Sequence, residues 1–94
     1  MNAKIEAINN LSFSDWSCSG GECEYVLVDD TPEHRKILVD AGFTEDELNV
    51  PEVSYDDGTL NVAHLAFKSG AEWFNPQLQM FGLEDNMRLS GRMN

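Results

Sequence analysis

Ninety-four residues make one domain, 1–94, with a frayed tail expected over 86–94. A chain of this length buries roughly 65% of its unfolded surface. Its 41% hydrophobic and 10% aromatic residues exclude a disordered acidic tail. Seventeen acids against six bases give a net charge of −11; that balance disfavours direct binding of nucleic acid, which needs a basic patch.

No apolar run approaches the ~20 residues of a membrane span. The start, Met1 to Leu11, alternates apolar and polar residues and lacks the apolar stretch of a signal peptide. A cytoplasmic protein is therefore expected, with Cys18 and Cys23 reduced. The charge is uneven: residues 15–57 hold 13 acids and only Arg35 and Lys36, so the whole surplus comes from the middle of the chain.

Asn2 is suited to cap a first helix near 3–10, with Ile5 and Ile8 on one face. Residues 12–18 and 23–29 predict a hairpin turning at Ser19-Gly20-Gly21, since Tyr25-Val26-Leu27-Val28 favours a strand. Thr31 as cap, Pro32 at the first helical position and Glu33 at the positive end of the dipole predict the main helix. His34, Ile37, Leu38 and Ala41 form its inner stripe, and Gly42 ends it. Thr44-Glu45-Asp46-Glu47 has capping-box spacing and starts a short third helix. Val50-Pro51 stops it.

Residues 52–67 read as a second hairpin around Asp57-Gly58, pairing Tyr55 with Leu60, Ser54 with Asn61 and Val53 with Val62. A turn at Ser69-Gly70 leads into a strand through Glu72-Trp73-Phe74. Asn75-Pro76 then caps a last helix reaching Phe81, ended by Gly82. The resulting fold class is α+β: an antiparallel sheet of four or five strands with two to four short helices packed mainly on one face.

This topology places Glu22, Glu45, Asp46 and Glu47 at one end of the domain. Asp29, Asp30, Asp56 and Asp57 fall at the other end, with Glu33 and Asp40 between them along the outer helix. Spread over half the surface, the net charge is about one per ~250 Å², against one per ~110 Å² for duplex DNA. Imitation of DNA is therefore confined to places where acids cluster. Acids at helix starts and in turns also serve local structure and solubility.

Other chemistry is weakly signalled. Cys18, Cys23, His34 and His64 total four soft ligands, but their spacing matches no compact zinc pattern. A Cys18–Cys23 disulfide across the first turn is geometrically feasible. Neither a phosphate-binding glycine loop nor an EF-hand spacing occurs, and no cofactor or catalytic motif is expected.

Three functions are compatible with these residues. The first is a non-enzymatic binding module that fills a basic surface of a partner protein through Glu22, Asp29, Asp30, Glu33, Glu45, Asp46, Glu47, Asp56 and Asp57. Its sharpest form blocks a nucleic-acid-binding complex, by analogy of size and charge with phage-encoded inhibitors of restriction or CRISPR systems. The second is a small metal protein or enzyme using Cys18, Cys23, His34 or His64. The third is an assembly subunit, such as a homodimer, meeting its partner through Trp73 and Phe74.

Overall fold

The structure, a computed structural model, describes residues 2–20 and 22–83. These residues form an α+β fold with four helices and two antiparallel sheets. In chain order the elements are α1 (Ala3–Asn9), β1 (Asp15–Ser19), β2 (Glu22–Asp29), α2 (Pro32–Asp40), α3 (Glu45–Leu48), β3 (Thr59–Asn61), α4 (Val62–Lys68), β4 (Ala71–Asn75) and β5 (Met80–Leu83). One sheet has the order β1-β2-β3 and the other pairs β4 with β5. The expected single sheet of four or five strands is thus divided. The tail expected to fray from residue 86 lies outside the described residues.

The first half forms as its residues dictate. Asn2 accepts from the backbone N–H groups of Lys4 and Ile5, starting α1, and Thr31 does the same for His34 at the start of α2. Thr44 and Glu47 form a reciprocal capping box on α3. In the first hairpin Ser19 pairs with Glu22 and Cys18 with Cys23, and Gly20 takes the positive φ of 62° that the turn requires. The two cysteines form a disulfide, which corrects the expectation of reduced thiols. The inner stripe of α2 is narrower than its spacing suggests: Leu38 is buried, His34 is half-buried and Ile37 is 37% exposed.

The second half departs from the sequence expectation at two points. Val53–Tyr55 and Thr59–Asn61 do approach each other, but Ser54 faces Leu60, Tyr55 N–H donates to Thr59 O, and Asn61 N–H donates to Val53 O. The loop contains three residues, not two. Gly58 N–H bonds to Tyr55 O and Gly58 sits at φ 85°, which adds a residue to the turn and shifts the register by one. Beyond Asn61 the chain becomes a helix. The Asn61 side chain caps it by accepting from Ala63 N–H, and Val62, Ala63, Leu65 and Ala66 are buried on its inner side. Leu60 and Val62 look like strand alternation only when Asn61 is taken for a surface residue.

The other departure is 75–82, where no helix forms. Asn75 pairs with Met80 across a tight turn in which Leu78 N–H bonds to Asn75 O and Gln79 adopts φ 50°. Between Ala71 and Phe74 the register slips, so Glu72 and Trp73 oppose the single residue Gly82. The Trp73 indole covers that glycine: a Cβ built there would lie 1.9 Å from Trp73 Cε2. Asn9 fastens this sheet to α1, donating to Phe81 O at 3.0 Å and accepting from Phe81 N–H at 2.6 Å.

One core runs through both sheets. Val26 and Val28 from β2, Leu60, the inner face of α4, Ile5, Ile8, Leu38, Leu48, Val53 and Phe81 are all fully buried. Phe13, Trp16, Phe74 and Phe81 make edge-to-face and tilted ring contacts, with centroids 4.9–6.2 Å apart.

Candidate functional site

The acids of the central segment are positioned by the end of β2, by the start of α2 and by the turn before β3. Asp29 is the last residue of β2 and pairs with Thr59 of β3. Asp30 N–H donates to Gly58 O at 2.9 Å, which draws the Asp56–Gly58 turn alongside. Glu33 lies in the first turn of α2. Four acids from distant parts of the chain, with Asp30, thereby share one end of the three-stranded sheet.

Arg35 adds the third helix to this surface. Its Nε and Nη2 donate to the two carboxylate oxygens of Asp30 at 2.6 and 3.0 Å. Its Nη1 donates to Glu45 at 3.2 Å and to Asn49 Oδ1 at 2.9 Å. The hydrogen bond and charge of Arg35 hold the Asp30 carboxyl below its ordinary pKa, against the opposing effect of burial. The same bond raises Arg35 further above its already basic value. Asp30 and Glu45, expected at opposite ends of the domain, therefore meet at one guanidinium. Beside them runs a shallow groove lined by Pro32, Lys36 and Val39 as well as by this triad.

The nine acids expected to contact a partner divide accordingly. Asp30 and Glu45 meet at Arg35, and Asp29, Glu33, Asp56 and Asp57 lie near Asp30 along the chain or in the turn its N–H joins. Asp29, Glu33 and Asp56 are exposed and make no ion pair among the described residues. Asp57 accepts from Thr59 N–H at 3.1 Å and from its hydroxyl, so it also shapes the turn. Lys36 is matched by Asp40 at 2.7 Å and adds no net charge.

Glu22, Asp46 and Glu47 lie elsewhere. Glu22 is at the tip of the first hairpin, seven strand residues from Asp29, or ~23 Å. Asp46 and Glu47 face the other side of α3, where they line a groove with Phe43, Val50, His64, Leu65 and Lys68. Glu47 is held below the ordinary glutamate pKa, first by the Thr44 backbone N–H.

The soft ligands do not converge. Cys18 and Cys23 are bonded to each other. His34 Nδ1 lies 2.7 Å from Asp29 O, so its N–H donates to that carbonyl at the end of β2 remote from Cys23. His64 is half-buried on α4, not on a strand. Among the described residues no group of three or more His, Cys, Asp or Glu side chains is placed to hold a metal ion. Trp73 and Phe74 do not form an exposed pair either: Phe74 is buried and Trp73 half-buried. The exposed apolar residues of that hairpin are Leu78, at 65%, and Met80, at 38%.

Sequence spacing indicated the acids but not the meeting of Asp30 and Glu45 at Arg35, which depends on how α2 and α3 pack. No helix of the described residues is long and apolar enough to cross a membrane. No protein-family model matches the chain, and neither the curated proteins nor the solved structures contain a match.

Proposed function

We propose that this protein is an acidic binding module that occupies a basic surface of a partner protein in the cytoplasm. The partner is of the nucleic-acid-binding kind, and the module fills its site in place of the nucleic acid, as inhibitors of restriction or CRISPR complexes do. The observation that carries this reading is the junction at Arg35. Arg35 joins Asp30 to Glu45 of α3, and the Asp30 N–H holds the acidic Asp56–Gly58 turn beside the end of β2 and the start of α2, which carry Asp29 and Glu33. Such a field speeds encounter with a basic partner and makes binding sensitive to salt. The adjoining groove contributes Pro32 and the exposed Val39, apolar area of the kind an interface needs beyond charge.

The test is capture of partners from the native host with the wild type and with a triple variant, Asp29→Lys, Glu33→Lys and Asp56→Lys. These residues are exposed, so the fold is kept. The expected result is a basic protein held by the wild type at low salt, released at high salt and missed by the variant. Its binding to nucleic acid should then be competed by the purified wild type. A partner retained equally by the variant, or one whose nucleic-acid binding is unaffected, contradicts the proposal.

A further inference from the structure

The Cys18–Cys23 bond lies at the tip of the first hairpin, and its surroundings differ from those of a structural staple. Both cysteines are only half-buried. The bond closes a loop of six residues, so it removes less chain entropy than a long-range bridge would. The same turn is specified without it by the Ser19–Glu22 pair and by Gly20 at positive φ. The β2 irregularity next to it, where Glu24 is the extra residue between the Tyr25 and Cys23 pairs, is held by Asn61. That side chain donates to Glu24 O and accepts from Val26 N–H. The far end of β1 is fixed by Ser14 N–H to Leu27 O and by Trp16 against Phe74. The hairpin therefore has its own supports whether or not the sulfurs are joined.

The two cysteines share one groove and differ in a second, which only Cys23 lines. Cys23 shares a groove with His64 and Lys68, which stand at i, i+4 on one face of α4, together with Glu24, Asn61 and Phe67. Lys68 makes no ion pair among the described residues. Both cysteines border the other groove of the tip, with Ser17, Ser19, Glu22 and Glu24, but Cys18 does not line the groove that holds His64 and Lys68. A negative charge is better supported on Cys23 than on Cys18, which makes Cys23 the better leaving group.

We infer that Cys18–Cys23 is a thiol–disulfide exchange site for a small thiol. The thiolate of a low-molecular-weight thiol attacks Cys18 Sγ, forming a mixed disulfide. The Sγ–Sγ bond breaks and its electron pair leaves on Cys23 Sγ, beside Lys68 and His64. A second thiolate attacks the sulfur of the bound thiol, and Cys18 departs as thiolate. The protons lost by the two small thiols end on Cys18 and Cys23. Two thiols are oxidised to one disulfide while the protein disulfide is reduced to a dithiol. The surrounding acids, Glu22 and Glu24, favour uncharged thiols over anionic ones.

The experiment exposes the native protein to dithiothreitol and to glutathione buffers of graded ratio. Free thiols are counted by alkylation and mass spectrometry, and the fold is followed by amide NMR spectra. Three results are expected. The disulfide opens without denaturant and re-forms on return to oxidised glutathione. The reduced protein stays folded, with shifts confined to residues near 17–26 and 61–68. The double variant His64→Gln, Lys68→Gln, whose side chains are partly exposed, opens severalfold more slowly. A bond that opens only after unfolding, a reduced chain that loses its dispersed spectrum, or a double variant that reacts at the wild-type rate overturns the inference.

Discussion

Arg35 grips Asp30 through two parallel hydrogen bonds, Nε to Oδ1 at 2.6 Å and Nη2 to Oδ2 at 3.0 Å, and the same guanidinium reaches Glu45. The pair both stabilises the fold and offsets charge on the acidic surface. Replacing Arg35 by Gln should therefore separate the two effects. The loss of a partly exposed, two-pronged ion pair should cost about 1 kcal/mol in urea denaturation. Salt-dependent attraction to a basic peptide should rise in the same variant, since Asp30 and Glu45 lose their internal cation. A variant that binds less tightly would mean that Arg35 itself contacts the partner.

The acid limb of stability should show Asp30. Its carboxyl is held below the ordinary value in the folded state, so its contribution is complete above the unfolded pKa of about 4. That contribution is lost as pH falls through the lower folded value. Urea midpoints from neutral pH down to strong acid should therefore separate wild type from Asp30→Asn at neutral pH and converge in acid. Curves that stay parallel throughout would remove the ionised pair as the cause.

Asn61 is the buried polar centre of the fold, at 5% exposure. Its side-chain oxygen accepts from Val26 N–H and Ala63 N–H, while its amide donates to Tyr55 Oη and Glu24 O. Alanine there would orphan the Val26 N–H and remove the cap of α4, an expected loss of roughly 2–4 kcal/mol. Tyr55→Phe removes one of those partners and should cost about 1 kcal/mol. Denaturation of both variants provides the comparison, and equal losses would show that Asn61 does not unite β2 with α4.

Gly82 is fixed by what covers it. A methyl group there would overlap the half-buried Trp73 ring, 1.9 Å from Cε2. Gly82→Ala should destabilise by about 2 kcal/mol or more, the range of overpacked cores. In the double variant Gly82→Ala, Trp73→Ala, the alanine at 82 should cost far less. Purely additive losses would place its cost in the backbone instead.

The capped helices and the first hairpin were legible because each is specified by neighbours in sequence: Asn2, Thr31 with Pro32, Thr44 with Glu47, and Gly20. The second half was not, because tertiary contacts decide it. Asn61 looks like a solvent-facing strand residue until β2 supplies Val26 N–H and Glu24 O for it to satisfy. Residues 62–68 then become a helix that buries its apolar face. The Asn75-Pro76 step carries a helix-start signal, yet Phe81 is needed against Phe74 and on Asn9, which pulls the chain into a strand. For the site, the sequence showed that the central segment is acidic. It could not show that Glu45 joins Asp30 while Asp46 and Glu47 turn away. It also hid His64 and Lys68 as an i, i+4 pair, because that spacing has meaning only on a helix.

The most direct measurement of the central claim is an amide NMR titration of the protein with an oligo-arginine peptide at low and at high salt. A single negative surface predicts shifts concentrated at Asp29–Arg35, Glu45 and Asp56–Thr59, reduced by salt and abolished by lysines at positions 29, 33 and 56. Shifts spread evenly over the molecule, or centred on Glu22 at the hairpin tip, would contradict it.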